Sequence, residues 1–363
     1  MRVLLVGNIV GAYRAQLLFK ILADAKHTVS FAAPRVYESH STDMGFTTRA
    51  RRKLRYYGAR GALAAEVGAK ARFADVIWLL PMNTNLSPLA AAAAQANPSA
   101  RLVVDLYASA YASALDRGLV APQGARAEWL RWLDRVAIES ADLLVHLAQT
   151  ELDHIVELVG ARAPGDVEIL PLAVEPRRES EPSPSKRFRI AWWGTYIPLH
   201  GIENIVGAAE VLRDRGSPVQ FRMFGVPGEA HAELAAKVWS RGLEPMVELR
   251  DNCSFASGKL EEELTRGCDL ALGIFGDTTK AKVVIPNKVL DAFAMRLPVL
   301  TMASTALDEM IDTRSELFTC SRAPVDIADA IDQVRLAPEE ARERARRGHR
   351  RYLETFSLHR YRD

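Results

Sequence analysis

Residues 285–299 contain the side chains whose types and spacing best fit a chemical role. A short loop with a proline leads to Asn287 and Lys288 at the predicted start of a helix, and Asp291 follows within its first turn. The amino end of a helix presents unpaired N–H groups and a partial positive charge, so phosphate is a natural ligand there. The carboxylate would disfavour phosphate but could accept hydrogen bonds from a neighbouring diol. The pattern fits the diphosphate and ribose of a nucleotide, and it fits a capped helix with an ordinary first-turn acid equally well.

The loop over residues 274–287 comes directly before this helix and adds positive charge. Lys280 and Lys282 lie in it and Lys288 follows it, so three lysines fall within nine positions. Lysine is a compact point charge that could balance a diphosphate. Most loop lysines are simply solvated, but the position of these three before a helix favours phosphate binding.

A second loop, over residues 194–201, also opens a predicted helix. Thr195 and the backbone amides near Gly201 could contact the same phosphates. His200 is explained equally well as a phosphate donor and as an ordinary polar loop residue. The sequence therefore predicts two helix-opening loops that serve one anion.

Short apolar strands alternate with helical stretches twice along the chain, and these elements must position the loops. Continuous apolar strands between helices are typical of a parallel sheet covered on both faces. Between the two series, residues 175–187 shift to Pro, Ser, Glu and Arg, which predicts an exposed linker. We therefore predict an α/β fold of two doubly wound, Rossmann-like domains, over residues 1–175 and 188–340.

Open α/β sheets bind ligands beyond the carboxyl ends of their strands, so two such domains facing one another would form a central cleft. In the first half, Gly7, Asn8 and Gly11 allow a ligand to approach the backbone closely, and they fit a tight strand-to-helix turn at least as well. Asp105 ends a predicted strand and is a candidate for contact with a substrate hydroxyl. A turn-capping role is the more common one for an Asp in this position.

Composition narrows the function classes. The chain has 363 residues, and its 47 Lys and Arg nearly balance 45 Asp and Glu, so the charge gives no reason to expect a polyanionic partner. The three cysteines have no metal-type spacing and fit a reducing cytoplasm.

No signal-peptide core or membrane span is present, and a cytoplasmic location is expected. Motifs of dinucleotide, P-loop, metallohydrolase and serine-hydrolase sites are missing, as is an Asp-x-Asp pair, so no metal is expected.

Residues 49–60 hold six basic residues and two tyrosines without an acid. One explanation is a surface for anionic lipid headgroups, with Arg51, Arg52, Lys53 and Arg55 as the contacts. A solvated, charged helix explains the run equally well. Nothing elsewhere in the sequence supports contact with nucleic acid.

Three segments together resemble a known family. They are the 194–201 loop, the run Ile-Pro-Asn-Lys-Val-Leu-Asp-Ala-Phe-Ala at 285–294, and Leu-Pro-Val-Leu at 297–300. Their order resembles glycosyltransferases of the GT-B fold, and among these the retaining, sucrose-synthase-like group (glycosyltransferase family 4-like). The resemblance covers nearly the whole chain in architecture and is specific over residues 190–320. In relatives the last helix often crosses back to the first domain, as residues 341–363 could do here.

The resemblance implies positions for the donor. In such enzymes two glutamates eight residues apart flank this loop and helix; Asp291 matches the second, which holds the donor ribose, and Val283 matches the first. The Arg and Lys that often bind the diphosphate are replaced by Thr195 and His200. With these two positions changed, Lys280 and Lys288 would have to balance more of the negative charge of the diphosphate. The predicted donor-binding residues are Thr195, His200, Gly201, Asn287, Lys288 and Asp291.

The resemblance implies transfer of a sugar, with retention, from a nucleoside-diphosphate sugar to a hydroxyl of a saccharide or lipid-linked acceptor. Lys280 and Lys288 would stabilise the leaving diphosphate, which would itself take the acceptor's proton. Asp105 would lie near the acceptor hydroxyl, and Gly7, Asn8 and Gly11 would bind the acceptor. The alternative is a nucleotide-sugar-binding GT-B protein with epimerase activity or without turnover.

Overall fold

The computed structural model describes residues 1–9, 13–34, 46–162, 165–181 and 185–359, without the side chains of residues 13 and 46–57. The chain divides into two compact units. One comprises Met1–Leu147 and Leu152–Leu170, and the other comprises Ala148–Glu151 and Pro171–Asp363. Each unit is built around a parallel six-stranded sheet.

The first sheet has the strand order β2-β1-β3-β4-β5-β6, and all its neighbouring pairs are parallel. Its strands are β1 (Arg2–Val6), β2 (Thr28–Ala32), β3 (Val76–Leu79), β4 (Arg101–Asp105), β5 (Leu143–His146) and β6 (Val167–Ile169). The helices along this part of the chain are α1 (Tyr13–Asp24), α2 (Phe46–Ala71), α3 (Ser87–Ala96), α4 (Ala110–Asp116), α5 (Ala125–Glu139) and α6 (Gln149–Val159). A 3₁₀ helix, Thr84–Leu86, precedes α3.

The second sheet has the order β12-β11-β10-β7-β8-β9 and is also parallel. Its strands are β7 (Phe188–Gly194), β8 (Val219–Gly225), β9 (Val247–Arg250), β10 (Leu270–Leu272), β11 (Val299–Met302) and β12 (Phe318–Cys320). Its helices are α7 (Ile202–Asp214), α8 (Glu229–Ser240), α9 (Lys259–Gly267), α10 (Asn287–Ala294), α11 (Thr305–Met310), α12 (Pro324–Leu336) and α13 (Pro338–Arg351). Short 3₁₀ helices, Pro198–His200 and Lys280–Lys282, precede α7 and α10, and a π-helix, Tyr352–Phe356, follows α13.

Two adjacent tryptophans on β7 show that the second sheet is covered on both faces, because successive strand residues point to opposite sides. Trp192 is buried in the core that includes Ile205 of α7 and Ile327 of α12. Trp193 is buried in a separate core that includes Phe293 of α10. The prediction of doubly wound, Rossmann-like sheets is therefore confirmed.

The segment before β7, predicted to be an exposed linker over residues 175–187, makes specific contacts with the second unit. Most of its described residues are exposed, but the side chain of Arg177 is only 15% exposed. The backbone N–H of Ser180 donates to the Met295 carbonyl at 2.7 Å, and that of Glu181 donates to the Thr265 carbonyl at 2.8 Å. Hydrogen bonds therefore fix this segment to the second unit.

The C-terminal helices pack on α10 in the same unit. His349 of α13 contacts the Phe293 carbonyl through Nδ1 at 2.9 Å, and Phe356 of the π-helix is fully buried. None of the described helices is both long enough and apolar enough to span a membrane.

Candidate functional site

The carboxyl end of β7 is open enough for two polar side chains to reach it. Gly194 ends the strand with φ +137°, a conformation that side-chain-bearing residues rarely adopt. A Cβ placed there would lie 3.2 Å from Lys288 Nζ and 3.3 Å from His200 Cε1. The glycine therefore lets Lys288 and His200 meet above the strand end.

His200 is a neutral hydrogen-bond acceptor at this point. Burial, helped by the nearby Lys288 charge, lowers the pKa of His200 to about 3, so the ring carries no charge at neutral pH. Its Nδ1 contacts the backbone carbonyl of Thr195, which can only accept, so Nδ1 carries the proton. Nε2 is left as the acceptor, and it lies 3.0 Å from Lys288 Nζ.

Lys288 is an unusual lysine because only 6% of its surface is exposed. It lies in the first turn of α10, with Nζ 5.3 Å from the centre of the Trp192 ring. Burial lowers the pKa of Lys288 to about 7, although the Asp291 charge opposes this shift. An anion bound at the amino end of α10 would favour the protonated form and recover part of the cost of burying the charge.

The two predicted phosphate loops are held together by backbone contacts. Gly201 has φ +63°, and a Cβ there would lie 2.2 Å from the Phe275 carbonyl. The Phe275 N–H donates to the His200 carbonyl at 3.2 Å, and the Asn204 side-chain amide donates to the Phe275 carbonyl at 2.8 Å. The loops after β7 and β10 therefore form one surface, which includes His200 and leads into the segment before α10.

Asp291 lies one turn further along α10 and has a different environment. Its carboxylate is 3.5 Å from Arg177 Nη2, and the Trp193 side chain donates a hydrogen bond to it. Burial raises the pKa of Asp291 to about 6 in spite of the opposing effect of Arg177. Lys288 thus contacts Trp192 while Asp291 contacts Trp193, whose side chains lie on opposite faces of the sheet.

Arg177 is the residue that sequence reasoning missed. Its guanidinium lies 4.0 Å from the centre of the Phe255 ring and 3.7 Å from Glu261, as well as facing Asp291. Among the residues that the structure describes, none accepts a hydrogen bond from its buried Nε atom. A segment rich in Pro, Ser and Glu gave no local signal for such a contact.

The other residues considered for the donor site lie on the loop after β7, in the segment before α10 and at the start of α10. Asn287 is exposed at the amino end of α10, and Thr195 is exposed in the loop after β7. Lys280 is half-buried in the 3₁₀ helix Lys280–Lys282, while Lys282 is exposed. Val283, at the first family position, is half-buried.

The predicted acceptor residues of the first unit are differently arranged. The carboxylate of Asp105 is 2.8 Å from Arg14 Nε, and the two side chains are 2% and 1% exposed. Burial raises the pKa of Asp105, while Arg14 opposes the shift. Asp105 is therefore enclosed in a buried ion pair.

The loop after β1 is supported by Asn83. A Cβ on Gly7, which has φ +128°, would lie 2.5 Å from Asn83 Cγ, and the Asn8 N–H donates to Asn83 Oδ1 at 3.0 Å. The third predicted residue of this loop, Gly11, lies outside the described residues.

The predicted membrane contacts lie on α2, which runs from Phe46 to Ala71. The side chains of Arg51, Arg52, Lys53 and Arg55 are outside the described part of the structure. In the part that is described, no group of three or more His, Cys, Asp or Glu residues is arranged to hold a metal ion.

Comparison with known proteins identifies the architecture. No protein-family model and no curated protein sequence matches the chain. Among solved structures, sucrose-phosphate synthase from Thermosynechococcus elongatus superposes with a TM-score of 0.72 at 13% identity, over 100% of this chain and 96% of that one. HepE from Anabaena, in complex with UDP-glucose, gives a TM-score of 0.69 at 14% identity, over 100% and 97%. The chain has the GT-B fold.

A glycosyltransferase from Rickettsia africae adds a further match, with a TM-score of 0.66 at 11% identity over 99% of this chain and 94% of that one. The GT-B prediction made from three sequence segments is confirmed, and the match extends over both units. In GT-B terms, the centre around Lys288 belongs to the second Rossmann-like domain.

Proposed function

We propose that this protein is a glycosyltransferase that moves a sugar, with retention, from a nucleoside-diphosphate sugar to a hydroxyl of a saccharide or lipid-linked acceptor. The main support for the proposal is that Lys288 is buried at the amino end of α10 and that its near partner, His200, is uncharged. The GT-B fold supports it, because structural neighbours were solved with UDP-glucose (HepE) and with UDP and GlcNAc (the pneumococcal transferase GtfA).

In the proposed donor complex, the diphosphate binds at the amino end of α10. Lys288 supplies charge directly, Lys280 supplies charge from the preceding 3₁₀ helix, and helix N–H groups add hydrogen bonds. Asp291, held by Arg177, accepts hydrogen bonds from the ribose hydroxyls. His200 keeps Lys288 Nζ directed towards the strand end.

The proposed chemical step breaks the bond between the anomeric carbon and the donor phosphate oxygen, and forms a bond from that carbon to the acceptor oxygen. The acceptor's proton passes to the leaving diphosphate. Negative charge develops on that diphosphate, so a lysine fixed in a water-poor site stabilises the transition state more than the ground state. Because lysines balance the diphosphate charge in this mechanism, no metal ion is required, and we expect transfer to continue in the presence of EDTA.

We also propose a cytoplasmic location. Cys253, Cys268 and Cys320 are free thiols in the structure, as is usual for proteins in a reducing compartment.

Two measurements test the proposed function. The first is thermal unfolding with UDP, GDP, ADP, CMP and dTDP, because a ligand at one hundred times its Kd stabilises the folded state by about 2.7 kcal/mol. The second is sugar transfer from the matching donor by the wild type and by Lys288→Ala and Asp291→Ala. We expect one nucleoside diphosphate to stabilise the wild type, and both variants to lose transfer while still unfolding cooperatively.

Matched controls make the result specific. Lys186→Ala removes an exposed lysine before the amino end of β7, and Asp214→Ala removes an exposed acid at the end of α7; both should retain transfer. Wild-type transfer by Lys288→Ala and Asp291→Ala would refute the assignment. Nucleotide binding without transfer, or sugar interconversion without an acceptor, would favour the binding-protein or epimerase alternative.

A further inference from the structure

An apolar groove of about 260 Å³ lies on the first unit, between α2, α3 and α5. Its walls include Leu63 of α2, Pro88 and Leu89 of α3, and Trp129 and Trp132 of α5. Arg60 of α2 contributes a charged side chain to this lining. We call this surface the tryptophan groove.

The two tryptophans give the groove its exposed apolar surface. Trp129 is 46% exposed and Trp132 is 42% exposed, and their spacing of three places them on one side of α5. Tryptophan combines a large apolar ring with a polar N–H, which is why it is enriched where water meets lipid. Two such rings beside one groove form a surface that suits a partner with both an apolar and a polar layer.

Helix α2, which forms one wall of the groove, is rich in basic residues towards its amino end. Within α2, the 20 positions before Glu66 contain no acid and carry six basic residues: Arg49, Arg51, Arg52, Lys53, Arg55 and Arg60. Arg60 lies at the groove itself, where its Nη2 donates to the Asn85 carbonyl at 3.0 Å. On the α5 side, Arg126 is exposed, and Glu128 is paired with Arg131 at 2.6 Å. A negatively charged partner fits this surface.

We propose that the tryptophan groove and the basic part of α2 dock on a bilayer that contains anionic phospholipids, with Trp129 and Trp132 at the boundary between headgroups and acyl chains. Apolar burial and attraction to anionic headgroups together produce stable peripheral binding, whereas a single weak signal does not. The docking does not depend on the proposed transferase activity. It would place the first unit where a lipid-linked acceptor is available.

The test is sedimentation of the full-length protein with vesicles. Vesicles of phosphatidylcholine alone are compared with vesicles that contain about one third phosphatidylglycerol, at about 0.1 M and about 1 M salt, because salt screens the headgroup charge. We expect sedimentation with the anionic vesicles at low salt and little with the neutral ones. Equal binding to both vesicle types, or no binding to either, would overturn the proposal.

Variants separate the aromatic contribution from the charge contribution. Trp129→Ser with Trp132→Ser should weaken partitioning about tenfold or more, because both interfacial anchors are lost. Trp129→Tyr with Trp132→Tyr should restore most of it, since tyrosine is also an interfacial residue. Trp239→Ser, at the 74% exposed tryptophan of α8 in the second unit, is the matched control and should bind like the wild type.

The charge variant replaces Arg51, Arg52, Lys53 and Arg55 by Ala. Each basic residue near the surface contributes roughly fivefold, so partitioning should fall by up to several hundredfold at low salt. The matched control removes four exposed arginines of α13, namely Arg342, Arg346, Arg347 and Arg350. An equal loss in the α13 variant or in Trp239→Ser would show that the binding is non-specific and would overturn the assignment of this surface.

Discussion

Each unit has a buried charged side chain at the end of a strand, but the partner of that side chain is charged in the first unit and uncharged in the second. In the first unit, Asp105 at the end of β4 pairs with Arg14 at 2.8 Å, and both side chains are almost fully buried. In the second unit, the Lys288 side chain reaches from α10 to the end of β7, where it contacts the uncharged ring of His200. The charges of a buried ion pair compensate each other, whereas a buried cation beside a neutral acceptor still gains from an arriving anion.

From this difference we expect a structural role for the Arg14–Asp105 pair and a ligand-binding role for Lys288. The difference predicts that removing Arg14 costs stability and that removing Lys288 costs ligand binding instead. The two centres have similar burial, so burial alone does not distinguish them. The two centres differ in the charge of the partner, which is a cation for Asp105 and a neutral ring for Lys288.

The largest expected effect is on stability in the first unit. Arg14→Met leaves Asp105 buried without its partner, which should lower the free energy of unfolding by about 3–5 kcal/mol. Urea denaturation measures this loss. The double variant Arg14→Met with Asp105→Leu should recover part of it, and Arg117→Met, at an exposed arginine, should stay within about 0.5 kcal/mol of wild type. If Arg14→Met lowers the free energy of unfolding by less than about 1 kcal/mol, the Arg14–Asp105 pair does not have the structural role proposed for it.

The next effect concerns the joined loops of the second unit. Gly201 and Gly216 have nearly the same conformation, φ +63° and +66°. A Cβ on Gly201 would lie 2.2 Å from the Phe275 carbonyl, whereas a Cβ on Gly216 would have no described atom within 4 Å. Gly216→Ala should therefore cost about 1–2 kcal/mol for its conformation, and Gly201→Ala about 3 kcal/mol or more. Thermal or urea unfolding measures both losses of stability. Equal losses in Gly201→Ala and Gly216→Ala would mean that the folded state does not depend on the close contact between the two loops.

The third effect is a pH dependence due to Lys288. Its pKa is about 7 in the folded protein and 10.5 in the unfolded chain, so between these values only the unfolded chain binds the proton. The free energy of unfolding should then rise with pH above 7, by up to about 1.4 kcal/mol per pH unit. Urea unfolding of wild type and Lys288→Met at pH 7, 8 and 9 isolates this contribution. Parallel dependences of the unfolding free energy on pH for the two proteins would show that the pKa of Lys288 is not lowered in the folded state.

The sequence predicted the fold because the relevant signals are local. Apolar strands such as β1 and β8 alternate with helices, and this pattern needs no knowledge of distant contacts. The same holds for the two loops that meet at Gly201, since loops after neighbouring parallel strands lie at one edge of a sheet. β7 and β10 are such neighbours.

The partners of the charged residues could not be predicted in the same way. Arg14 lies on α1, far before Asp105 in the chain, and no periodicity relates them. Arg177 lies in a stretch whose composition indicates a linker, yet its guanidinium packs on Phe255 and faces Asp291. Such pairings depend on tertiary packing, so the sequence offered Asp105 and Asp291 as candidates and gave no sign of the arginines beside them.

The smallest expected effect tests whether Arg177 keeps Asp291 ionised for ligand binding. Arg177 lowers the pKa of Asp291, which burial has raised to about 6. Arg177→Gln should raise this pKa further; a rise of one unit would cut the ionised fraction at pH 6 by roughly fivefold and leave it almost unchanged at pH 8.5. We therefore expect the Kd of the nucleoside diphosphate, measured by calorimetry, to rise about fivefold at pH 6 only. Arg178→Gln, at the exposed neighbour, should show no such pH dependence. A uniform loss at both pH values would mean that Arg177 supports the fold of the site instead of the charge of Asp291.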